Sequence, residues 1–327
     1  MKALQMARLG PLDALTLCEV PRPEAGAGEL RIRVEASAIS HADLLLAQGR
    51  YQLQPPVPYI PGSEFAGTVE AIGDGTEADW HLGERVCGSA TAGGAWAEAV
   101  CVPAVAVQRI GEAALFTEAA ALAVPYGTMW HALVDRGALR PGETVFVLGA
   151  AGSVGLAAVQ LARAFGARVI AGGSTSEKRA LARAAGANAT IDTSAIDWRS
   201  ALKAMTQARG LDVVVDPVGG AFTEPAFRSL GWGGRHLVLG FAGGGIASLP
   251  ANLPLLKGAA LVGVDIRQFS QREPVQAAAN LRGVMALHAR GDLRPAIAGV
   301  WGLSDHHAAL AAMQGGDAVG RVVLRPD

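Results

Sequence analysis

The chain has 327 residues, about twice the usual domain length, and this suggests two domains. Half of its residues are hydrophobic and 17% are charged, enough apolar side chain for a sizeable core and unlike the composition of a disordered chain. A formal net charge of -1, with acids and bases mixed along the sequence, leaves no electrostatic footprint for nucleic acid or an anionic membrane, so the expected partner is a small molecule.

From the N-terminus, Lys2, Arg8 and Asp13 interrupt the short apolar pieces, which therefore do not read as a signal peptide. LRIRVEASAI, from Leu30, alternates charged and apolar residues at the period of a half-buried strand. YQLQPPVPYIPG, from Tyr51, is a proline-rich loop, whereas FAGTVEAIG, GERVCGSA and AWAEAVCVP are brief β-rich pieces bounded by glycine or proline. The first part thus reads as short strands and turns in a mainly β unit. From about Thr117 the texture becomes alanine-rich and helical. After Pro141 strands alternate with helices: TVFVLGA, RVIAGGS, ATIDT, LDVVVDPVG and RHLVLGFA are strand candidates, and LAAVQLARAFGA and SEKRALARAAGA are helices between them. Such apolar strands are typical of a doubly wound parallel sheet buried on both faces. After about Val264 the chain returns to a helix, Val275 to Arg290, and a last apolar strand, GRVVLRP.

Cys18, Cys87 and Cys101 are an odd, widely spaced set without a CxxC pair, which fits neither a disulfide framework nor a zinc cage and places the chain in a reducing cytoplasm. Thr144 to Ala162 carries no charge and is nearly long enough to span a bilayer, but Gly149, Gly152 and Gly155 lie where a strand must turn into a helix. Those glycines carry the sharpest signal. GAAGSVG, Gly149 to Gly155, follows the strand ETVFVL and opens a helix, so its backbone can approach a pyrophosphate met by N–H groups and the positive helix end. Ala150 and Ala151 depart from the usual GxGxxG spelling, and tight strand–helix packing is the structural alternative. Ala151, Gly152, Ser153 and Val154 are the candidate contacts.

The next strand ends without the Asp or Glu that would accept from a ribose 2'-hydroxyl. It reads VIAGGSTSEKR, so Gly173 leaves room while Ser174, Lys178 and Arg179 can meet a 2'-phosphate, which favours NADPH over NADH. The alternative is that Lys178 and Arg179 are solvated residues of a helix's first turn, and Glu177 lies beside them.

ADLLLAQGRYQLQPPVPYIPGSEFAG from Ala42, GERV from Gly83, VPYGTMWHAL from Val124, GAAGSVG from Gly149, DVVVDPVGG from Asp212 and GRVVL from Gly320 occur in an order that resembles the medium-chain dehydrogenase/reductase superfamily, in particular its zinc-free, zeta-crystallin-like NADPH:quinone oxidoreductases. The resemblance covers nearly the whole chain. It implies an α/β protein with a GroES-like, mainly β catalytic domain built from residues 1–122 and 264–327, a Rossmann domain over 123–263, an interdomain cleft and a homodimer. In zinc-dependent relatives a Cys, a His and usually a second Cys hold the catalytic ion; here Ser40 and Ser63 stand at the first two places and the VPYG segment offers no thiolate. Hydroxyls are poor zinc ligands, and the cysteine-rich loop of structural zinc is missing, so no metal is expected.

Without a Lewis acid the acceptor must be electrophilic by itself, which suits quinones and α,β-unsaturated carbonyl compounds. The resemblance places Thr128 at the nicotinamide end, with Gly240 and Phe241 bordering it, and Tyr51 near the quinone pocket, where a packed loop aromatic is the alternative. Ser40 replaces the family's usual Asn and can still donate; His41 stands where Phe is common and can relay a proton or serve structure. Asp43 and Glu64 match motif positions, as catalytic groups or as caps. His81, His131, His236, His288, His306 and His307 lack metal-site spacing and read as packing or surface residues, and no GxSxG elbow marks a hydrolase. Reduction of the C=C bond in enones or enoyl thioesters is the second activity left open, and a non-catalytic NADPH-binding protein is the third.

Overall fold

The computed structural model describes residues 1–315 and 320–327. Within them a short antiparallel pair, β1 (Lys2–Gln5) and β2 (Thr16–Glu19), precedes β3 (Glu29–Ala38), whose apolar residues fall mostly on the buried side of a period-two pattern. That strand is the hub of a sheet. β4 (Glu64–Ile72) and β6 (Ala99–Pro103) both pair antiparallel to β3, while β5 (Arg85–Ser89) joins β4 to β7 (Val107–Arg109). Only the second half of AWAEAVCVP becomes strand; Ala97 makes an isolated bridge to Ala3. A helix, α1 (His41–Ala47), occupies ADLLLAQ, where only strands and turns are expected from the sequence. Its start is fixed by a capping box, in which the Ser40 side chain accepts from the Asp43 N–H and Asp43 accepts from the Ser40 N–H. α2 (Phe116–Ala120) then packs small alanines against β3 and β4.

α3 (Ala123–Trp130) runs into a π-helical turn, His131–Arg136. Next come β8 (Thr144–Val147), α4 (Ser153–Ala164), β9 (Arg168–Gly173), α5 (Ser176–Ala184), β10 (Ala189–Asp192) and α6 (Trp198–Met205). β11 (Leu211–Asp216), α7 (Thr223–Arg228), β12 (Leu230–Val238), α8 (Asn252–Lys257), β13 (Ala260–Gly263) and α9 (Ile266–Arg272) complete the alternation. The six strands are parallel, in the order β10-β9-β8-β11-β12-β13. Chain direction across the sheet reverses at β8 and β11, the switch point at which doubly wound folds bind ligands. β8 is buried throughout, and Phe146 stacks on Trp198 at 5.7 Å in a core with Ile170, Val214 and Phe227. The uncharged run Thr144 to Ala162 is therefore split among a strand, a turn and α4, and no helix among the described residues is long and apolar enough to cross a membrane.

The chain then forms α10 (Pro274–Ala289), β14 (Ile297–Gly302), α11 (His306–Gln314) and β15 (Arg321–Arg325), and β15 pairs antiparallel with β3, closing the seven-stranded sheet. Two compact units result, Met1–Val124 with Phe269–Asp327, and Pro125–Gln268. The second unit ends at Gln268, within α9 and a few residues beyond β13, the last strand of the parallel sheet. Nothing in the alternation of residues announces β13, a four-residue edge strand with little burial.

Candidate active site

In the second unit, β8 leads into Gly149, whose φ of 59° is left-handed and whose added Cβ would lie 2.9 Å from a Val218 methyl. The turn is held by the Ala150 N–H donating to the Gly172 carbonyl (3.1 Å) and the Gly152 N–H donating to the Gly149 carbonyl (3.0 Å). A Cβ at Gly155 would collide with the Gly149 carbonyl and Ala150 Cα, so that glycine serves helix-to-turn packing. Gly152 differs. It is exposed, its φ of -73° suits any residue, and the nearest protein atom to an added Cβ is 3.4 Å away. As N-cap of α4 it supplies no side-chain acceptor, and the first turn carries no acid, so the leading N–H groups are open to an outside anion. Ala151, Ser153 and Val154 are half-buried around it. The surroundings fit a dinucleotide pyrophosphate.

At the end of β9, Gly173 is buried while Ser174 and Lys178 are exposed. The Thr175 side chain caps α5 by accepting from the Lys178 N–H. Arg179 donates to the Gly173 carbonyl at 3.0 Å and pairs with Asp192 of β10 at 3.0 Å. It is thus committed to the strand ends, whereas Lys178 has no ion-pair partner among the described residues and remains available. Glu177 accepts from the Ser176 hydroxyl (2.8 Å). Its own backbone N–H, with Thr175 and Ser176, holds its carboxyl below the usual range.

Three turns meet at the C-terminal ends of β8, β11 and β12. Ala242 and Gly243 N–H groups donate to the Pro217 and Val218 carbonyls, and a Cβ on Gly219 (φ 71°) would lie 2.7 Å from the Phe241 ring. Gly240 and exposed Phe241 therefore border the Gly149 turn through Val218. Thr128 is buried on α3.

Beneath these turns is a group that sequence spacing does not reveal. Asp216 accepts from the Val218 and Gly219 N–H groups (3.0 and 2.7 Å), the Thr223 hydroxyl (2.7 Å) and His236 Nε2 (2.9 Å). Burial works to raise its carboxyl, but the donors, His236 first, outweigh it and hold Asp216 below the usual carboxylate range. His236, fully buried, is a packing residue as expected, but one that anchors the Pro217–Gly219 turn.

In the first unit, Ser40 and Ser63 come together with Oγ atoms 3.5 Å apart. Ser40 is buried and bound to Asp43: its N–H and hydroxyl both donate to Asp43 Oδ2, at 2.8 and 2.7 Å. Glu64, fully buried, accepts from the Val124 N–H (3.0 Å) and pairs through Oε1 with Arg321. Burial raises Glu64's carboxyl to about 7, against the pull of Arg321 and the Val124 N–H, with a smaller upward push from the nearby Asp43. His41 opens α1 and is exposed, while the Tyr51 ring is half-buried against the cluster of Leu4, Met6, Leu44 and Trp96. No group of three or more His, Cys, Asp or Glu that could hold a metal ion occurs among the described residues, and the three cysteines are free.

Residues 26–112 match the family model of the alcohol dehydrogenase GroES-like domain, and residues 153–281 that of the zinc-binding dehydrogenase. The chain is 36% identical over 313 residues to the quinone oxidoreductase-like protein 2 of Mus musculus, covering 95% of this chain and 88% of the mouse protein. A mycobacterial protein solved in complex with NADPH superposes with a TM-score of 0.90 at 28% identity, covering 100% of both chains. An NAD-dependent alcohol dehydrogenase superposes with a TM-score of 0.89 at 27% identity, again over 100% of both. With both domain models matched in their expected halves and a relative this similar along almost its whole length, the chain belongs to the medium-chain dehydrogenase/reductase superfamily, as an enzyme of the quinone oxidoreductase type.

Proposed function

We propose that this oxidoreductase uses NADPH, without zinc, to reduce quinones or α,β-unsaturated carbonyl compounds. The observation that carries this is the Ser40–Ser63 contact, which offers only neutral hydroxyls, one of them already bound to Asp43, where a metal would need thiolate or imidazole. NADPH, when bound, supplies the hydride. Gly152 and the leading N–H groups of Ser153 and Val154 are assigned to its pyrophosphate, with Ala151 flanking them. Ser174 and Lys178 are assigned to the 2'-phosphate, Gly173 to the room it needs, and Thr128, Gly240 and Phe241 to the nicotinamide end. Tyr51 and His41, and Ser40 acting through Ser63, are assigned to the acceptor, where a donated hydrogen bond stabilises the oxygen on which charge develops. An acceptor activated by its own conjugation needs no more than this.

The three free cysteines agree with a cytoplasmic enzyme. A homodimer is supported by β13, an edge strand with Leu261 exposed on it and Leu255, Leu256 and Trp232 exposed nearby. Sedimentation at the single-chain mass of 33.4 kDa would contradict the dimer. For the reaction, NADPH oxidation is followed with naphthoquinones, enones, crotonyl thioesters and simple aldehydes. Turnover with the conjugated acceptors and none with aldehydes is expected; turnover confined to simple aldehydes would refute the substrate class.

A further inference from the structure

Asp43, Glu64 and Arg321 are buried together, with exposures of 0%, 0% and 6%. One guanidinium cannot neutralise two carboxylates, and an unpaired charge taken out of water is strongly disfavoured. The geometry decides which carboxyl keeps a proton. Arg321 and the Val124 N–H are both spent on Glu64. Asp43 has no cation bound to it: Ser40's N–H and hydroxyl both bind Oδ2 and Ser63's hydroxyl adds a further pull, while its Oδ1 is buried with no hydrogen-bond partner among the described residues. The remaining ionisable groups around the cluster are the Tyr59 phenol on the loop before β4 and the Cys87 thiol on β5, both pushed up by burial and so neutral. Neither supplies a counter-charge. Burial accordingly raises Asp43 as well, against the Ser40, Ser63 and Arg321 interactions that pull it down.

From Asp43 a row of hydroxyls leads outward. Asp43 Oδ2 lies 2.7 Å from Ser40 Oγ, and Ser40 Oγ lies 3.5 Å from Ser63 Oγ, the longest link and the half-buried outer end. We propose that Asp43 is the internal proton reservoir of this site and that Ser40 and Ser63 carry its proton to the reduced acceptor. This rests on the reading of the site as a hydride-transfer centre. When hydride forms the new C–H bond at an enone's β-carbon, the C=C π pair shifts to the bond beside the carbonyl and the C=O π pair moves onto the acceptor oxygen. With Asp43 protonated at Oδ2, its O–H donates to Ser40 Oγ and the Ser40 hydroxyl turns to Ser63, the reverse of the bond that an ionised Asp43 accepts. The acceptor oxygen then takes the Ser63 hydroxyl proton, Ser63 takes that of Ser40, and Ser40 takes that of Asp43. The acceptor has gained one hydride and one proton, and Asp43 is left a carboxylate facing Arg321 until solvent returns a proton along the same row. A quinone draws on it identically.

Infrared spectroscopy of the full chain at neutral pH reads the reservoir without any turnover. A protonated-carboxyl C=O band is expected that shifts when aspartate carboxyls carry 13C and vanishes in Asp43→Asn. A band insensitive to aspartate labelling, or no band, overturns the proposal even if the variant fails to fold. Ser63→Ala, which removes a single half-buried hydroxyl, is expected to lower kcat about 100-fold with the KM for NADPH within about twofold and with a larger solvent isotope effect. An unchanged kcat overturns the relay. If the wild-type protein reduces no conjugated acceptor with NADPH, the hydride-transfer reading fails, while the infrared band still decides the protonation of Asp43.

Discussion

In the proposed NADPH site Lys178 is the residue on which cofactor choice turns, since Arg179 is drawn to Asp192 and the Gly173 carbonyl. Reversing its charge in Lys178→Glu removes a charge-assisted bond to the 2'-phosphate and adds repulsion, so NADPH should bind about 10- to 100-fold more weakly while NADH changes little. Titration of both nucleotides checks this, and an unaltered ratio would remove Lys178 from the site. Asp43 and Glu64 titrate as a coupled pair whose folded values are raised, Glu64's to about 7. Above the unfolded carboxylate range the folded chain therefore holds more protons than the unfolded one, and stability falls as pH rises from about 4 towards 7. Melting temperature should decline over that window, and Asp43→Asn should flatten the slope; a rise through the window in the wild-type protein would contradict the burial argument. Residues of the glycine turn and the Ser40 and Ser63 replacements are legible in sequence because each belongs to a contiguous motif. The Asp216–His236 bond is not: 20 positions separate the two, and only the parallel pairing of β11 with β12 brings them together.

At the scale of the element, the β8–α4 turn separates two jobs that identical residues conceal. Gly155→Ala drives a Cβ into the Gly149 carbonyl and should both destabilise the second unit by about 1–3 kcal/mol and weaken NADPH binding. Gly152→Ala meets no protein atom closer than 3.4 Å, so it should leave thermal stability nearly unchanged and still weaken NADPH by about tenfold or more. Calorimetry beside NADPH titration separates them; equal loss of stability in both would mean that the turn is merely packing. Elements with long apolar runs, such as β8, β11 and α10, are readable from sequence. α1 escapes because seven residues give too few turns for a helical period, although its S-x-x-D cap at Ser40 and Asp43 was the available signal. β13 escapes because an edge strand with little burial has no apolar pattern to show.

For the molecule as a whole, the residues proposed for the acceptor and those proposed for the cofactor fall separately, Ser40, His41 and Tyr51 in the GroES-like unit and the Gly149 turn, Thr128 and Lys178 in the parallel-sheet unit. The order of the motifs made this architecture legible, whereas the unit limits at Val124 and Gln268 are set by tertiary contacts that motif order does not specify. The central property proposed for the enzyme is chemistry by organic groups alone, with Ser40, Ser63 and Asp43 in place of a metal. Metal analysis of the purified protein, combined with NADPH-dependent turnover of a quinone before and after exhaustive chelation, tests this most directly. Full turnover by metal-free protein is predicted; stoichiometric zinc whose removal abolishes turnover, and whose return restores it, would contradict the account.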